Sequence, residues 1–140
     1  MEKLLENLEK LNDSREAQLK NVLVLAFVGD SVFTTFVRTN LAVSSMSNSG
    51  ALNKMANKYV KAQSQAIMWN TLMQELNEDE LDIGRRARNV KLNHTAKNAS
   101  LEDYRDATSL ESVLGYHFLS NNIDRLMFLM NKCMAIINEN

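Results

Sequence analysis

The densest apolar run in the chain spans Val22 to Arg38, Val-Leu-Val-Leu-Ala-Phe-Val-Gly-Asp-Ser-Val-Phe-Thr-Thr-Phe-Val-Arg, and one acid sits in its middle. At a helical period Leu23, Ala26, Phe27, Asp30, Thr34 and Val37 share a stripe, which predicts a central helix from about Glu16 to Arg38. The same run also fits a buried strand over Val22 to Val28, with Gly29-Asp30-Ser31 as its turn and Asp30 as the N-cap of a following helix. An acid on an apolar stripe is costly unless it is hydrogen-bonded, paired or bound to a cation. Gly29 beside it would let another backbone or a ligand come close.

The rest of the pattern is helical. Leu4, Leu5, Leu8 and Leu11 predict a short amphipathic opening helix that breaks at Asn12-Asp13-Ser14. Ser44 to Gly50 is a small-polar loop. Leu52, Met55, Ala56, Tyr59, Gln63, Ala66 and Ile67 then predict one long helix from Ala51 to about Glu75. Asn77 with Glu80 has the spacing of an N-cap and its reciprocating acid, opening a helix from Glu78 to about Asn89. Ser100 with Asp103 repeats the signal for a helix ending near Leu119, whose Ala107, Leu110, Glu111, Leu114 and Phe118 share a face. After a turn at Ser120-Asn121-Asn122, a last helix carries Ile123, Leu126, Met127, Met130, Met134 and Ile137.

Composition sharpens this to an all-α fold in one domain, residues 1–140. There are 140 residues, no proline and only four glycines, too few turn formers for a β-rich chain. Cys133 is the single cysteine, which excludes an internal disulfide or thiolate cluster and reads as a small buried hydrophobe. The eight methionines read as core filler. The charged N-terminus has no signal-peptide core, and no stretch approaches the roughly 18 apolar residues of a membrane span, so a cytoplasmic protein without a membrane partner is expected.

Candidate chemistry centres on two acids. Glu111 follows Leu110 and precedes Leu114 by three, which puts it on the apolar side of its helix. Asp30 and Glu111 on the inner faces of two helices suit a hard divalent cation such as magnesium, which takes oxygen ligands. The plain alternative is a pair of structural acids. The second feature is Arg85, Arg86, Arg88, Lys91 and Lys97, a basic stretch without an acid in a chain of net charge −1. Such a patch suits phosphate backbones, with affinity that weakens steeply with salt. It also suits a solvated helix end, where arginines complement the dipole. Asn89, Asn93 and Asn98 add donors. His94 reads as an exposed loop residue and His117 as a packed or capping side chain. A serine-hydrolase reading around Ser31 lacks the glycine-rich loops and strands it needs.

Three segments, in order, resemble one family. Leu25-Ala26-Phe27-Val28-Gly29-Asp30-Ser31-Val32-Phe33 resembles the signature helix of ribonuclease III domains. Arg85-Arg86-Ala87-Arg88-Asn89 resembles the Arg-Arg-Gly-Arg-Asn motif of the short bacterial form, Mini-ribonuclease III. Tyr104 to Tyr116 resembles that form's Tyr-Arg-x-Ala-Thr-x-Leu-Glu segment. The resemblance implies an all-helical bundle like the ribonuclease III endonuclease domain, without a separate double-stranded-RNA-binding domain. It implies a homodimer that uses Mg2+ to cleave double-stranded RNA, and trimming of the large-subunit ribosomal RNA precursor. Asp30 and Glu111 take the places of the catalytic, metal-holding acids. Arg85, Arg86, Arg88 and Asn89 take those of the basic motif, and Lys91 and Lys97 extend it as RNA contacts. The apolar surface of the central helix, with Phe33 and Phe36 crowded on it, is the candidate for the subunit contact. The chain departs from full-length ribonuclease III in having Ala26 and Thr108 where two further acids usually stand, and from the short form in having Ala87 for glycine. A catalytically inactive helical RNA-binding module is the alternative.

Overall fold

The computed structural model describes residues 2–11, 13–91 and 99–140, and these form eight α-helices and one 3-10 turn. They are α1 (Glu2–Glu9), α2 (Ser14–Gln18), α3 (Val22–Ser44), α4 (Ser49–Val60), α5 (Ala62–Leu72), the 3-10 turn Met73–Glu75, α6 (Glu78–Arg88), α7 (Leu101–Leu119) and α8 (Ile123–Asn138). The fold is an all-α bundle. The strand alternative for Val22 to Val28 is excluded, because α3 runs through Asp30 without a break.

Local chemistry sets most of the helix starts. The Asn77 side chain accepts from the Glu80 amide, and the Glu80 side chain accepts from the Asn77 amide, completing the capping box. Ser100 Oγ accepts from the Asp103 amide. The central helix starts six residues later than the periodicity suggests. Asp13 caps the separate short α2, and Asn21 caps α3 by accepting from the Leu23 amide at 2.8 Å. The expected long helix from Ala51 to Glu75 is also two helices. Lys61 is extended between them (φ −66°, ψ 151°), and Ser64 Oγ donates to the freed Lys58 carbonyl at 2.6 Å. The break re-phases the buried stripe to Ser64, Gln65, Met68, Trp69 and Leu72, leaving Ile67 exposed.

α7 is the centre of the molecule. It packs against α3, α5, α6, α8 and α2, and residues 106–110 and 112–117 are all buried. Hydrophobicity hides this, because many of its inward residues are small or polar and satisfied by backbone. Ser109 Oγ donates to the Gly84 carbonyl at 2.8 Å, and Ser112 Oγ to the Val22 carbonyl at 2.9 Å. α3 buries Val22, Leu25, Gly29, Phe33, Val37 and Leu41. By length and composition α3 could also cross a membrane, a property the sequence reading missed; here its buried stripe packs on α7.

At the α6–α7–α8 junction Glu80 is fully buried. It accepts from Arg125 Nε at 2.9 Å and Arg125 Nη2 at 2.8 Å, and its other close partner is the buried His117 ring. Burial alone would raise the Glu80 pKa, but hydrogen bonds from Arg125, His117 and the Asn77 backbone outweigh it and lower it to about 2. A carboxylate with a folded pKa below its unfolded value stabilises the fold above the unfolded value, near pH 4, and loses that contribution as pH falls toward 2. Glu80→Gln is therefore expected to cost about 3 kcal/mol at pH 7, and the gap to wild type should close between about pH 5 and pH 2. Urea unfolding of both proteins across that range checks it. A gap independent of pH would show that Glu80 does not titrate as described.

Candidate active site

The crossing of α3 and α7 is built on two glycines. A Cβ placed on Gly29 would lie 1.8 Å from the Glu111 carbonyl oxygen, and one on Gly115 would lie 1.9 Å from the Leu25 carbonyl oxygen. The two backbones therefore touch, which only glycine permits here. The residue before Asp30 abuts the backbone of Glu111, so their carboxyl groups project side by side.

Both acids line one cleft of about 390 Å³, together with Ala26 and Phe27 of α3, Val60, Ala62 and Gln65 at the α4–α5 break, and Tyr104 and Thr108 of α7. Asp30 is exposed and Glu111 half-buried. The stripe reading thus needs correction. Leu23, Phe27 and Asp30 share a face as expected, but in the single chain that face is open, and the buried stripe lies one position round the helix. The Glu111 pKa is pushed up to about 9, first by burial and then by the adjacent Asp30, through a shared hydrogen bond and charge repulsion.

The donor set fits a hard cation. It is all oxygen, and its acids sit so close that ionising both is unfavourable without a positive charge between them. Among the described residues no cluster of three or more His, Cys, Asp or Glu side chains forms. Ala26 and Thr108 line the same cleft, adding a methyl and a hydroxyl beside the two acids.

A profile of the ribonuclease III domain matches residues 23–122. A Mini-ribonuclease 3 from Brevibacillus brevis is 39% identical over 93% of this chain and 97% of its own length. The chain belongs to the ribonuclease III family, in its Mini-ribonuclease III form. It is an endoribonuclease. A Staphylococcus aureus Mini-ribonuclease 3 is 38% identical over 87% of this chain and 92% of its own length. A crystal structure of a Fusobacterium nucleatum protein superimposes with a TM-score of 0.77 at 26% identity, covering 87% of this chain and 96% of that one.

In this chain the basic motif divides. Arg85 is exposed and paired with Asp82 at 2.5 Å, and Asn89 and Lys91 are exposed. Arg86 and Arg88 are half-buried, and both take partners within the protein. Arg86 donates to the Gln18 carbonyl at 2.6 Å and ties α2 to α6. Arg88 pairs with Glu102 at 3.0 Å and with buried Asp106. Arg88 is thus satisfied by acids of α7, and Arg86 by a carbonyl of α2 and by Asp82 one turn away. Asp106 lies five residues before Glu111, about 7.5 Å along α7, and Arg88 does not line the cleft. Lys97, with Asn93, His94 and Asn98, lies outside the described residues.

Two residues escaped the sequence reading. Arg105 donates to the Arg88 carbonyl and to the Val90 carbonyl at 3.0 Å, holding the end of α6 where the basic segment begins. Gln65 brings a buried amide to the cleft wall. Neither has a signal in the spacing, because both roles depend on elements far apart in sequence. His117 and Cys133 are buried, as expected; burial pushes the Cys133 thiol pKa up.

Phe33 is fully buried in the core of its own chain and so does not belong to an outer surface of α3 that a second subunit could meet. The open apolar groove of α3 is instead lined by Leu8, Phe27, Val28, Ser31, Val32, Thr35 and Phe118.

Proposed function

We propose that the chain is a magnesium-dependent endoribonuclease for double-stranded RNA that acts as a cytoplasmic homodimer on the precursor of large-subunit ribosomal RNA. The observation that carries this reading is the meeting of Asp30 and Glu111 in the cleft at a glycine-built helix crossing. Asp30 and Glu111 would hold the cation. A bound magnesium ion lowers the pKa of a coordinated water and offsets charge on a phosphodiester under in-line attack. Glu111 must give up its proton to bind it, which ties binding to pH. Arg85 and Lys91, both exposed, supply phosphate affinity without base readout. A-form RNA hides its base edges in a deep groove, so recognition is of shape and 2′-hydroxyls.

Dimerisation is supported by the apolar groove on α3. Phe27, 78% exposed, lines both that groove and the cleft, so a second copy covering one would border the other. Each subunit would then cut one strand, leaving 5′-phosphate and 3′-hydroxyl ends.

The test is cleavage of a long, end-labelled double-stranded RNA, with sedimentation of the free protein alongside. The expected result is cutting in Mg2+, none with excess chelator, and a dimer at micromolar concentration. Binding without cutting under any divalent ion would favour the inactive RNA-binding module, and a monomer would remove the dimer.

A further inference from the structure

Among the described residues of the cleft wall, Gln65 alone has a buried side-chain polar atom without a hydrogen-bond partner. It is 3% exposed, and its Nε2 donates to the Val60 carbonyl at 3.1 Å. That carbonyl is free because the α4–α5 break at Lys61 interrupts the helical ladder there. An acceptor at Val60 fixes which end of the amide is nitrogen, so Oε1 must face the other way. Oε1 is buried and has no hydrogen-bond partner. A second buried atom, Arg86 Nε, shares that status, but it lies 3.3 Å from the Asp82 carboxylate and is compensated by charge. Gln65 Oε1 has no such compensation.

An orphaned buried acceptor in a native fold calls for an occupant. Bulk water barely reaches this atom, so its partner must come with whatever fills the cleft. The cleft already offers two carboxyl groups and no nitrogen or sulfur ligand. A hydrated magnesium ion keeps several waters, and their protons need oxygen acceptors. We infer that Gln65 is a positioning residue of the cation site, its Oε1 accepting a hydrogen bond from a water of the ion held by Asp30 and Glu111. This rests on the cation reading of those two acids. Glutamine suits the position because it donates to Val60 and accepts from the site at once. Glutamate keeps the acceptor and loses the donor; methionine keeps neither.

The experiment is titration of the RNA-free full chain with Mn2+, read by the loss of the free-ion paramagnetic signal. Wild type, Glu111→Gln, Gln65→Met and Gln65→Glu are compared, with cation-free melting curves for each. The expected result is that Gln65→Met binds Mn2+ about tenfold more weakly than wild type, while Gln65→Glu binds at least as tightly. Unchanged binding by Gln65→Met overturns the inference. So does equal weakening in both Gln65 variants, which would mean that the residue acts only through the Val60 carbonyl. If Gln65→Met does not fold, Gln65→Glu decides alone: tight binding supports the inference and weak binding overturns it. If wild type binds no better than Glu111→Gln, the carboxylates hold no cation, and the reading beneath the inference fails with it.

Discussion

Asp30→Asn and Glu111→Gln are each expected to slow cleavage of double-stranded RNA by at least about 10³-fold, roughly 4 kcal/mol of transition-state stabilisation, while RNA binding stays within about twofold of wild type. The two effects separate because the residues do different work. The carboxyl pair lies in the cleft, away from the exposed Arg85, Asn89 and Lys91. Phosphate contacts set affinity, whereas charge placed at the reacting centre sets rate. The substitutions are nearly isosteric: Asp30→Asn removes the negative charge beside Glu111, and Glu111→Gln replaces a carboxyl that burial and Asp30 hold protonated. Neither should destabilise the fold. Glu111→Gln relieves a half-buried acid whose pKa is already raised to about 9 by burial and by Asp30. The check is single-turnover cleavage with saturating enzyme, alongside filter binding and thermal melts. A variant that cuts at wild-type rate would exclude its residue from the chemistry. A variant that loses binding and cutting together would place it in the RNA grip instead.

Gly115→Ala is expected to destabilise the fold by at least about 3 kcal/mol, lowering the melting temperature by roughly 10 °C, and to abolish cleavage even where the chain remains folded. The added methyl would lie 1.9 Å from the Leu25 carbonyl oxygen and 2.7 Å from its carbon. Both are main-chain atoms inside a helix and cannot swing aside, so α3 and α7 must separate. Separation opens voids along the longest contact in the core and moves Asp30 away from Glu111. Gly29→Ala should behave alike, since its methyl would meet the Glu111 carbonyl oxygen at 1.8 Å. Gly50→Ala is the control. It sits in the first turn of α4 with only the Asn48 side chain near, at 3.5 Å, and should be neutral or slightly stabilising. A Gly115→Ala protein that melts with wild type would mean that the helices do not touch.

The acids were legible because a carboxylate within an apolar run is chemically conspicuous, and their motifs resembled a family. Their environment was not. Asp30 was read as inward, yet it sits on an open face, because period alone gives a stripe and not which stripe is covered. The basic motif was legible as charge, but the pairing of Arg86 and Arg88 within the protein was not. Their acceptors, Gln18, Glu102 and Asp106, come from other helices. On α8 the expected stripe is buried at Leu126, Met130 and Ile137, but Ile123 and Met127 are exposed and Leu129 is buried. One residue of phase separates the two readings, and only the neighbouring helices fix it.

By itself the sequence determined what depends on neighbours a few residues apart. Those features are the helical class, the caps at Asn77 and Ser100, and the turn at Ser120 to Asn122. Each is closed by a hydrogen bond within one turn, so its residues suffice to specify it. The tertiary structure alone decided what depends on distant partners. It made α7 the centre despite its polar sequence, because serine hydroxyls there bond to the backbones of α3 and α6. It broke the helix at Lys61, held Glu80 ionised between His117 and Arg125, and left Gln65, a residue of the cleft wall, with a buried Oε1 that has no partner. Above all it brought Asp30 to Glu111. Eighty residues lie between them along the chain, and two glycines let their helices meet.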